Sequence, residues 1–477
     1  MRDDMTRKIQ SLVAKLFNVD TDVELSRPDE QFGDYATNVA LKLAKQLNKN
    51  PREVAQQIAD ALVQHVGGVA SAEVAGPGFI NLRLTDSILL DVAEVPLARP
   101  YDGQTVVTEY SDPNPFKVLH AGHLYTSIVG DAMSNLLELA GATVHRVNFG
   151  GDVGLHVGKT LWGILKELGG VHPEKLADVS VDKRADWMAA RYVTGTQAYE
   201  NDEAAKAEIT ELNKNVYEFH STDDHESPLA QIYWTCREWS YAYFDEFYAR
   251  IGTKFEKYYP ESQTAPLGLK TVQEHVGTVY AESNGAIVFD GGEYGLHTRV
   301  FINSSGLPTY EAKDVGLAIQ KWQDYHFDRS VIITGNDIVE YMKVVMKSLE
   351  QFAPETVVNT THMTHGQVKL SGGVKMSSRK GNFLRAVDVL EAAHTASRAA
   401  GNDSETISLG AVKYAFLKQR VGGDIVYEPD ESVSLQGNSG PYLQYAHARA
   451  CSILTKGANA ARPHMLQPAE RQLLTKI

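Results

Sequence analysis

Two histidines three residues apart, His120 and His123, stand in the run TVVTEYSDPNPFKVLHAGHLYTSIVG from Thr105 to Gly130. Its first residues, Thr105 to Tyr110, are β-branched and predict a strand. Pro113 and Pro115 hold the next residues off helical geometry, and an amphipathic helix is expected from near Leu119. A strand feeding a helix through a tight polar turn is where α/β folds bind nucleotides, because the first amides of the helix and its dipole favour phosphate. Residues at i and i+3 share a helix face. Two imidazoles there can donate hydrogen bonds to phosphate oxygens whose charge grows during phosphoryl or adenylyl transfer. Gly122, without a Cβ, lets a base or ribose approach the backbone. A second chemical element is Lys375-Met376-Ser377-Ser378-Arg379, followed by Lys380 and Gly381. Three cations within six residues suit charge building on a departing pyrophosphate, and the serines can donate to phosphate. Taken alone, this run also fits a nucleic-acid patch or a solvated turn.

The elements that must position these groups follow from pattern and composition. The chain has 477 residues, 43% hydrophobic and 22% charged, which describes a globular protein of two to four domains. No stretch approaches 18 continuous apolar residues and the first ten residues are charged, so a cytoplasmic protein is expected. Two cysteines, Cys236 and Cys451, support neither a disulfide framework nor a cysteine-based zinc site. A net charge of −14 argues against indiscriminate coating of nucleic acid, although Lys369 to Arg420 holds nine Lys and Arg against four Asp and Glu. After the first strand and helix, Gly141 to Thr160 supplies a turn, an alternating strand (Thr143 to Phe149) and a glycine-rich loop, completing a βαβ unit. Gly158-Lys159-Thr160 ends like a P-loop, but Val153 stands where that motif needs its first glycine. The fold class expected is therefore α/β. Residues 1 to about 90 predict a small α+β domain, with helices over Met5 to Phe17 and Tyr35 to Leu47. A third helix is capped by Asn50 with Pro51 at its first position and Glu53 as capping-box partner, and a strand follows within Gly76 to Leu84. A linker with Pro96 and Pro100 follows. HSTDDHE (220–226) could ligate metal by composition, but no helical ligand spacing supports it and a solvated loop is the plainer reading; HMTH (362–365) calls for similar caution.

PNPFKVLHAGH, Pro113 to His123, resembles the first signature of class I aminoacyl-tRNA synthetases, and EYSDPNPFKVLHAGHL resembles its form in the arginyl-tRNA synthetases. KMSSR, some 250 residues later, resembles the second signature in its usual order. NFGGDVG resembles the family's second active-site segment, where Gly151, Asp152 and Gly154 shape the pocket floor. QFGDYATNVALKLAKQLNKNP with GPGFINLRL resembles the family's N-terminal additional domain, and QGNSGPYLQYAHARACSIL resembles the opening of its helical anticodon-binding domain. The resemblance implies a Rossmann-like parallel sheet over 104–405, split by a helical insertion at about 161–280. Its second half is expected to start with Gly285 to Asp290 and Arg299 to Tyr310. Residues 406–477 would begin the helical domain, most of which the chain is expected to lack.

The same resemblance implies the ligation of L-arginine to tRNA(Arg) with ATP and Mg2+ as substrate complex, no zinc, and a monomer. His120, His123, Lys375 and Arg379 would be catalytic. Lys117, Gly122, Met376, Ser377 and Ser378 would join them around ATP, and Glu109, Ser111, Asn114, Tyr310 and Asp314 would hold arginine. A guanidinium with five donors is selected by carboxylates and carbonyls placed for fork-like hydrogen bonds. The resemblance makes Asp314 the expected carboxylate and Tyr310 the ring beside the stem, while Glu109 and Asn114 match residues that bind the substrate's α-amino and backbone end or line its pocket. One departure stands out: Ile338 occupies about the place of a glutamine common in the family, so no site residue is assigned between Asn336 and Val345. Another class I synthetase, an HxGH nucleotidylyltransferase, or a tRNA-binding relative without catalysis are the alternatives.

Overall fold

The computed structural model describes residues 2–370, 384–457, 463 and 465–476. Lys375 to Arg379 lie outside them. Two compact units are found, Met1–Ala98 with Leu454–Ile477, and Arg99–Ile453.

The first unit contains α1 (Arg2–Phe17), β1 (Tyr35–Thr37), α2 (Val39–Leu47), α3 (Pro51–His65), β2 (Val69–Ala75), β3 (Phe79–Leu84) and α4 (Asp86–Glu94). Its antiparallel sheet has the order β1-β3-β2. Leu43, Ile58 and Leu62 from the helices meet Ile80 and Leu82 from the sheet, all fully buried. The α3 start is as its sequence indicates: the Asn50 side chain accepts the Arg52 N–H at 2.9 Å and Pro51 occupies the first turn. Tyr35 to Thr37, expected to be helical, instead form a strand paired with Ile80 to Leu82. The Thr37 hydroxyl accepts the Val39 N–H, so the helix starts two residues later, and all three strand residues bury their side chains. Near the chain end, Arg471 ties back to Asp34, Asp86 and the Leu84 carbonyl.

The second unit opens with β4 (Thr105–Glu109), α5 (Ala121–Leu139), β5 (Thr143–Gly150) and α6 (Leu155–Leu168). Three long helices follow, α7 (Arg184–Asn201), α8 (Glu203–Thr222) and α9 (Pro228–Ile251), then β6 (Lys257–Pro260) and α10 (Glu261–Glu274). Next come β7 (Ala281–Ser283), β8 (Ala286–Phe289), β9 (Arg299–Ile302), α11 (Tyr310–Tyr325), β10 (Arg329–Gly335), α12 (Val339–Glu350) and β11 (Thr360–His365). The unit continues through β12 (Val368–Leu370), α13 (Ala386–Ala399), α14 (Glu405–Leu417) and β13 (Ile425–Tyr427). Five strands form one parallel sheet in the order β11-β10-β4-β5-β6. Its strand order reverses between β4 and β10. A crevice therefore opens above their carboxyl ends, where Glu109 and Gly335 stand.

Two parts of the chain differ from the sequence-based expectation. β6 lies inside the span assigned to the insertion, yet it pairs with β5 from Val147↔Lys257 to Gly150↔Pro260 and is the edge of the nucleotide sheet. Four residues carrying a lysine and a proline give little strand signal. The residues expected to start the second half of that sheet form a separate antiparallel meander, β7-β8-β9. Asn284-Gly285, both at positive φ, make the two-residue turn that forces β7 and β8 into a hairpin.

Helix α11 approaches α10 closely through two glycines. A Cβ on Gly316 would sit 2.2 Å from the Thr264 carbonyl oxygen, and one on Gly268 would sit 1.8 Å from that of Ala312. Gly316→Ala is therefore expected to overpack this contact and lower stability by roughly 1–3 kcal/mol, read as a lower midpoint in chemical denaturation. An unchanged midpoint would show that the helices can separate freely.

Candidate active site

The first turn of α5 is built from the two histidines. His120 is its N-cap, and His120 Nδ1 accepts the Gly122 N–H at 3.1 Å. His123 Nδ1 accepts the His120 N–H at 3.1 Å, so the two rings cap the helix reciprocally with centroids 3.8 Å apart. A Cβ on Gly122 would fall 2.8 Å from the His120 ring, so only glycine leaves room for this cap. Because each Nδ1 is an acceptor, a neutral ring carries its proton on Nε2. Desolvation first, then the Lys117 charge, holds His120 down at about 4. Desolvation and then His120 hold His123 well below the usual imidazole range. At neutral pH both are uncharged Nε2–H donors.

The loop between β4 and α5 keeps Ser111, Asp112 and Phe116 at positive φ, with values of 75°, 49° and 67°. Such backbone persists only where its surroundings over-determine it. The Asp112 carboxylate accepts the Phe149 N–H at 2.8 Å, and Asn114 Oδ1 accepts the Gly151 N–H at 2.9 Å. The second bond turns the Asn114 amide nitrogen away from Gly151. Gly151 and Gly154 do lie in the loop after β5. Asp152 is fully buried beneath it, with its carboxylate held by the Ser262 N–H at 2.9 Å, the Ser262 hydroxyl at 2.7 Å and Arg237 at 2.9 Å. Ser111 contributes its hydroxyl elsewhere: it bonds Tyr248 at 2.8 Å and Ser127 at 2.9 Å, in the packing of α5 against α9.

The opposite wall is one stripe of α11. Tyr310, Asp314, Leu317 and Lys321 recur at helical spacing, running from a half-exposed tyrosine to a buried lysine. The Asp314 carboxylate receives the Tyr341 hydroxyl, and Lys321 forms a buried ion pair with Glu109 at the end of β4. Desolvation first pushes Asp314 up to about 8, with the Glu109 and Glu261 charges adding to it, against the Tyr341 hydrogen bond and Lys321. Lys313 pairs with Glu261 at 2.5 Å, and its ammonium lies 5.1 Å from the centre of the Tyr310 ring. Lys117 lies over the Tyr192 ring at 4.5 Å.

Sequence reasoning missed Glu261, Lys313, Lys321 and Tyr341. Lys321 had a signal, its i+7 spacing from Asp314. Tyr341 falls in the stretch left without a site residue, and its partner comes from another helix. The proposed pyrophosphate cations, Lys375 and Arg379, with Met376, Ser377 and Ser378, lie outside the described residues. The chain that follows them is placed, however: Ala121 N–H donates to the Leu384 carbonyl at 2.8 Å and Ala386 N–H to the Leu119 carbonyl at 2.9 Å. This two-bond clasp holds Arg385 beside His120. His220 and His362 bond hydroxyls of Tyr233 and Thr334 at 2.7 Å each. Among the described residues no group of three or more His, Cys, Asp or Glu is disposed to hold a metal ion.

Comparison with known proteins bears on the family and the fold. A family model described as "tRNA synthetases class I (R), catalytic domain" matches residues 86–428, and one described as "Arginyl tRNA synthetase N terminal domain" matches residues 3–84. A Phocaeicola vulgatus protein named arginine–tRNA ligase is 28% identical over 508 aligned positions, covering 96% of this chain and 83% of that protein. One from Treponema pallidum is 28% identical, covering 90% and 75%. Arginyl-tRNA synthetase from Thermus thermophilus superposes with a TM-score of 0.75 at 24% identity over 100% of this chain and 85% of that one. The Plasmodium falciparum arginyl-tRNA synthetase gives 0.69 at 18% identity, over 99% and 85%.

The cap geometry predicts that imidazole nitrogen NMR will report Nε2–H tautomers for His120 and His123 with no titration between pH 6 and 8. A protonation step in that range would contradict the neutral pair.

Proposed function

The chain belongs to the arginyl-tRNA synthetases of class I, and from that membership we propose how its crevice joins L-arginine to tRNA(Arg) with ATP. The observation that carries the proposal is the meeting of Glu109, from a strand, with Asp314, from a helix, beside a neutral histidine pair that caps the helix at the same crevice. Arginine enters past Tyr310, its guanidinium reaches Glu109 and Asp314, and the Asn114 amide faces its backbone end. ATP, taken as its Mg2+ complex, places its phosphates at the α5 N-terminus. His120 and His123 donate from Nε2, Lys117 adds positive charge, and the bare Gly122 backbone receives the nucleoside.

The arginine carboxylate attacks the α-phosphorus and the bond to the bridging oxygen breaks, giving arginyl-adenylate and pyrophosphate. Lys375 and Arg379 pair with the charge that collects on that leaving group, and Met376, Ser377 and Ser378 line ATP. A hydroxyl of the terminal tRNA ribose then attacks the mixed anhydride and AMP leaves. Positioning and electrostatics carry both steps, and no covalent bond to the enzyme is required. The same proposal has the enzyme act in the cytoplasm as a monomer.

The direct test is ATP–pyrophosphate exchange with each amino acid in the presence of tRNA(Arg). Exchange with arginine alone is expected, and exchange supported by a different amino acid would sink the assignment. Asp314→Asn is expected to lower kcat/KM for arginine about 100-fold, the scale of a lost charged hydrogen bond of roughly 3 kcal/mol, with little change in the KM for ATP.

Burial of Asp314 also gives a pH dependence. With its pKa at about 8 the empty pocket holds this carboxyl protonated at neutral pH, whereas a guanidinium binds the ionised form. Arginine affinity should therefore rise up to tenfold per unit from pH 6 to about 8, then level off. Calorimetry in buffers of different ionisation enthalpy should record a proton released on binding near pH 7. The opposite sign applies to the empty enzyme's stability. A folded-state pKa raised above the unfolded value, about 3.9, makes stability fall as pH climbs from about 4 to 8. Arginine affinity that is flat across this range would show that Asp314 is ionised before the ligand arrives.

A further inference from the structure

Lys321 and Glu109 are 2% and 3% exposed and come from elements 212 residues apart in the chain, so the ion pair is part of the crevice floor. Burying a lysine this deeply is unfavourable without a partner, and an apolar residue of its size would fill the same position. Its occupation of this place needs a reason beyond packing. The pair borders a void of about 20 Å³, room for one water, lined also by Asp314, Leu317, Ile332 and Met342.

Which oxygens are occupied is informative. Lys321 Nζ takes Glu109 Oε2, and the Tyr341 hydroxyl takes Asp314 Oδ2. Among the described residues no further hydrogen bond to either carboxylate is found, which leaves Oε1 of Glu109 and Oδ1 of Asp314 as acceptors. These are two acceptors on two separate arms. A planar cation with N–H groups along its edges can serve both, whereas an ammonium is a point charge that settles best against one carboxylate. The ammonium-sized position on Glu109 is already filled by the protein. Glu109, Asp314, one ammonium from the chain and one ligand guanidinium sum to zero, while burial and the Glu109 charge push the neighbouring Asp112 carboxyl upward, toward its neutral form.

We propose that Lys321 is a specificity-determining residue, which occupies the ammonium position on Glu109 and so leaves two carboxylate oxygens matched to a guanidinium and poorly matched to an alkylammonium. Lys321 acts through Glu109 and does not touch the ligand. The proposal rests on the reading that Glu109 and Asp314 hold arginine.

The test uses the full chain with tRNA(Arg) and four variants, Lys321→Met, Lys321→Ala, Glu109→Gln and the double variant Glu109→Gln/Lys321→Met, each checked for folding by thermal melting. In Lys321→Met the arginine KM is expected to rise tenfold or more with the ATP KM within twofold of wild type. Free lysine is expected to inhibit that variant at concentrations at least tenfold lower than wild type. In Lys321→Ala, added n-propylamine, protonated at neutral pH, should refill the vacated position and lower the arginine KM at least threefold, while n-propanol should not. If Lys321→Ala does not fold, Lys321→Met alone carries the comparison. The double variant removes both charges and is expected to keep the raised arginine KM. Recovery of the wild-type KM in the double variant would overturn the proposal, because the pair would then serve only the fold. So would an unchanged lysine inhibition constant in Lys321→Met. A wild-type arginine KM in Glu109→Gln has a different meaning: it overturns the assignment of arginine to Glu109 itself.

Discussion

The backbone at the start of α5 must find acceptors for its first N–H groups, and everything at the nucleotide end of the crevice depends on how it does so. A serine or aspartate would satisfy those amides and contribute nothing further. Two histidines satisfy them through Nδ1 and thereby fix which nitrogen of each ring faces outward with a proton. One hydrogen-bonding requirement thus sets local structure, tautomer and chemistry together. It also explains the glycine between them, since a Cβ at position 122 would displace the first ring. The clasp of Leu384 and Ala386 on Leu119 and Ala121 extends the same logic, because it brings the chain immediately after the lysine- and arginine-rich signature to His120.

The amino-acid end of the crevice is governed by a different constraint, the desolvation of carboxylates. Asp314, Glu261 and Asp112 all have their carboxyl groups pushed upward by burial. Lys313 neutralises Glu261, and Lys321 neutralises a fourth buried acid, Glu109. Burying like charges together is destabilising unless a cation arrives, and in the proposed function the final cation is the guanidinium of the ligand. Rigidity supplies the rest. The α11 stripe is held against α10 by glycines that admit no side chain, so the acids cannot drift apart to relieve their repulsion.

Much of this was legible in the sequence. The strand, loop and helix around His120 follow from spacing, because they depend on residues adjacent in the chain, whereas Asp314 is singled out by resemblance alone and its own pattern reads as an exposed helix residue. β6 was lost because an edge strand of four residues gets its pairing from β5, not from its own pattern. The β7-β8-β9 meander carried a real turn signal in Asn284-Gly285, which fixes a hairpin but not the sheet that it joins. Lys321 and Tyr341 were missed for a further reason. A buried lysine reads as surface and a tyrosine as core until the partner is known, and those partners, Glu109 and Asp314, lie 212 and 27 residues away. The role of Ser111 shows the converse: a motif fixes its position but not the direction of its hydroxyl, which two neighbouring helices claim.

The two ends of the crevice handle charge in opposite ways, and the difference follows from what each ligand does during reaction. In the proposed function arginine carries the same charge before and after activation, so a fixed, nearly neutralised acidic pocket would hold it throughout. ATP changes: charge leaves the α-phosphate and gathers on pyrophosphate, which must depart. Permanent cations buried at the helix N-terminus would bind ATP and pyrophosphate alike and slow the release. Neutral imidazoles avoid this, because a hydrogen bond from Nε2 strengthens as an oxygen becomes more negative yet leaves no net charge behind. Under the proposed function the low pKa of His120 and His123 is therefore part of the mechanism, and formal positive charge would be left to Lys117 and to the lysine and arginine of the second signature.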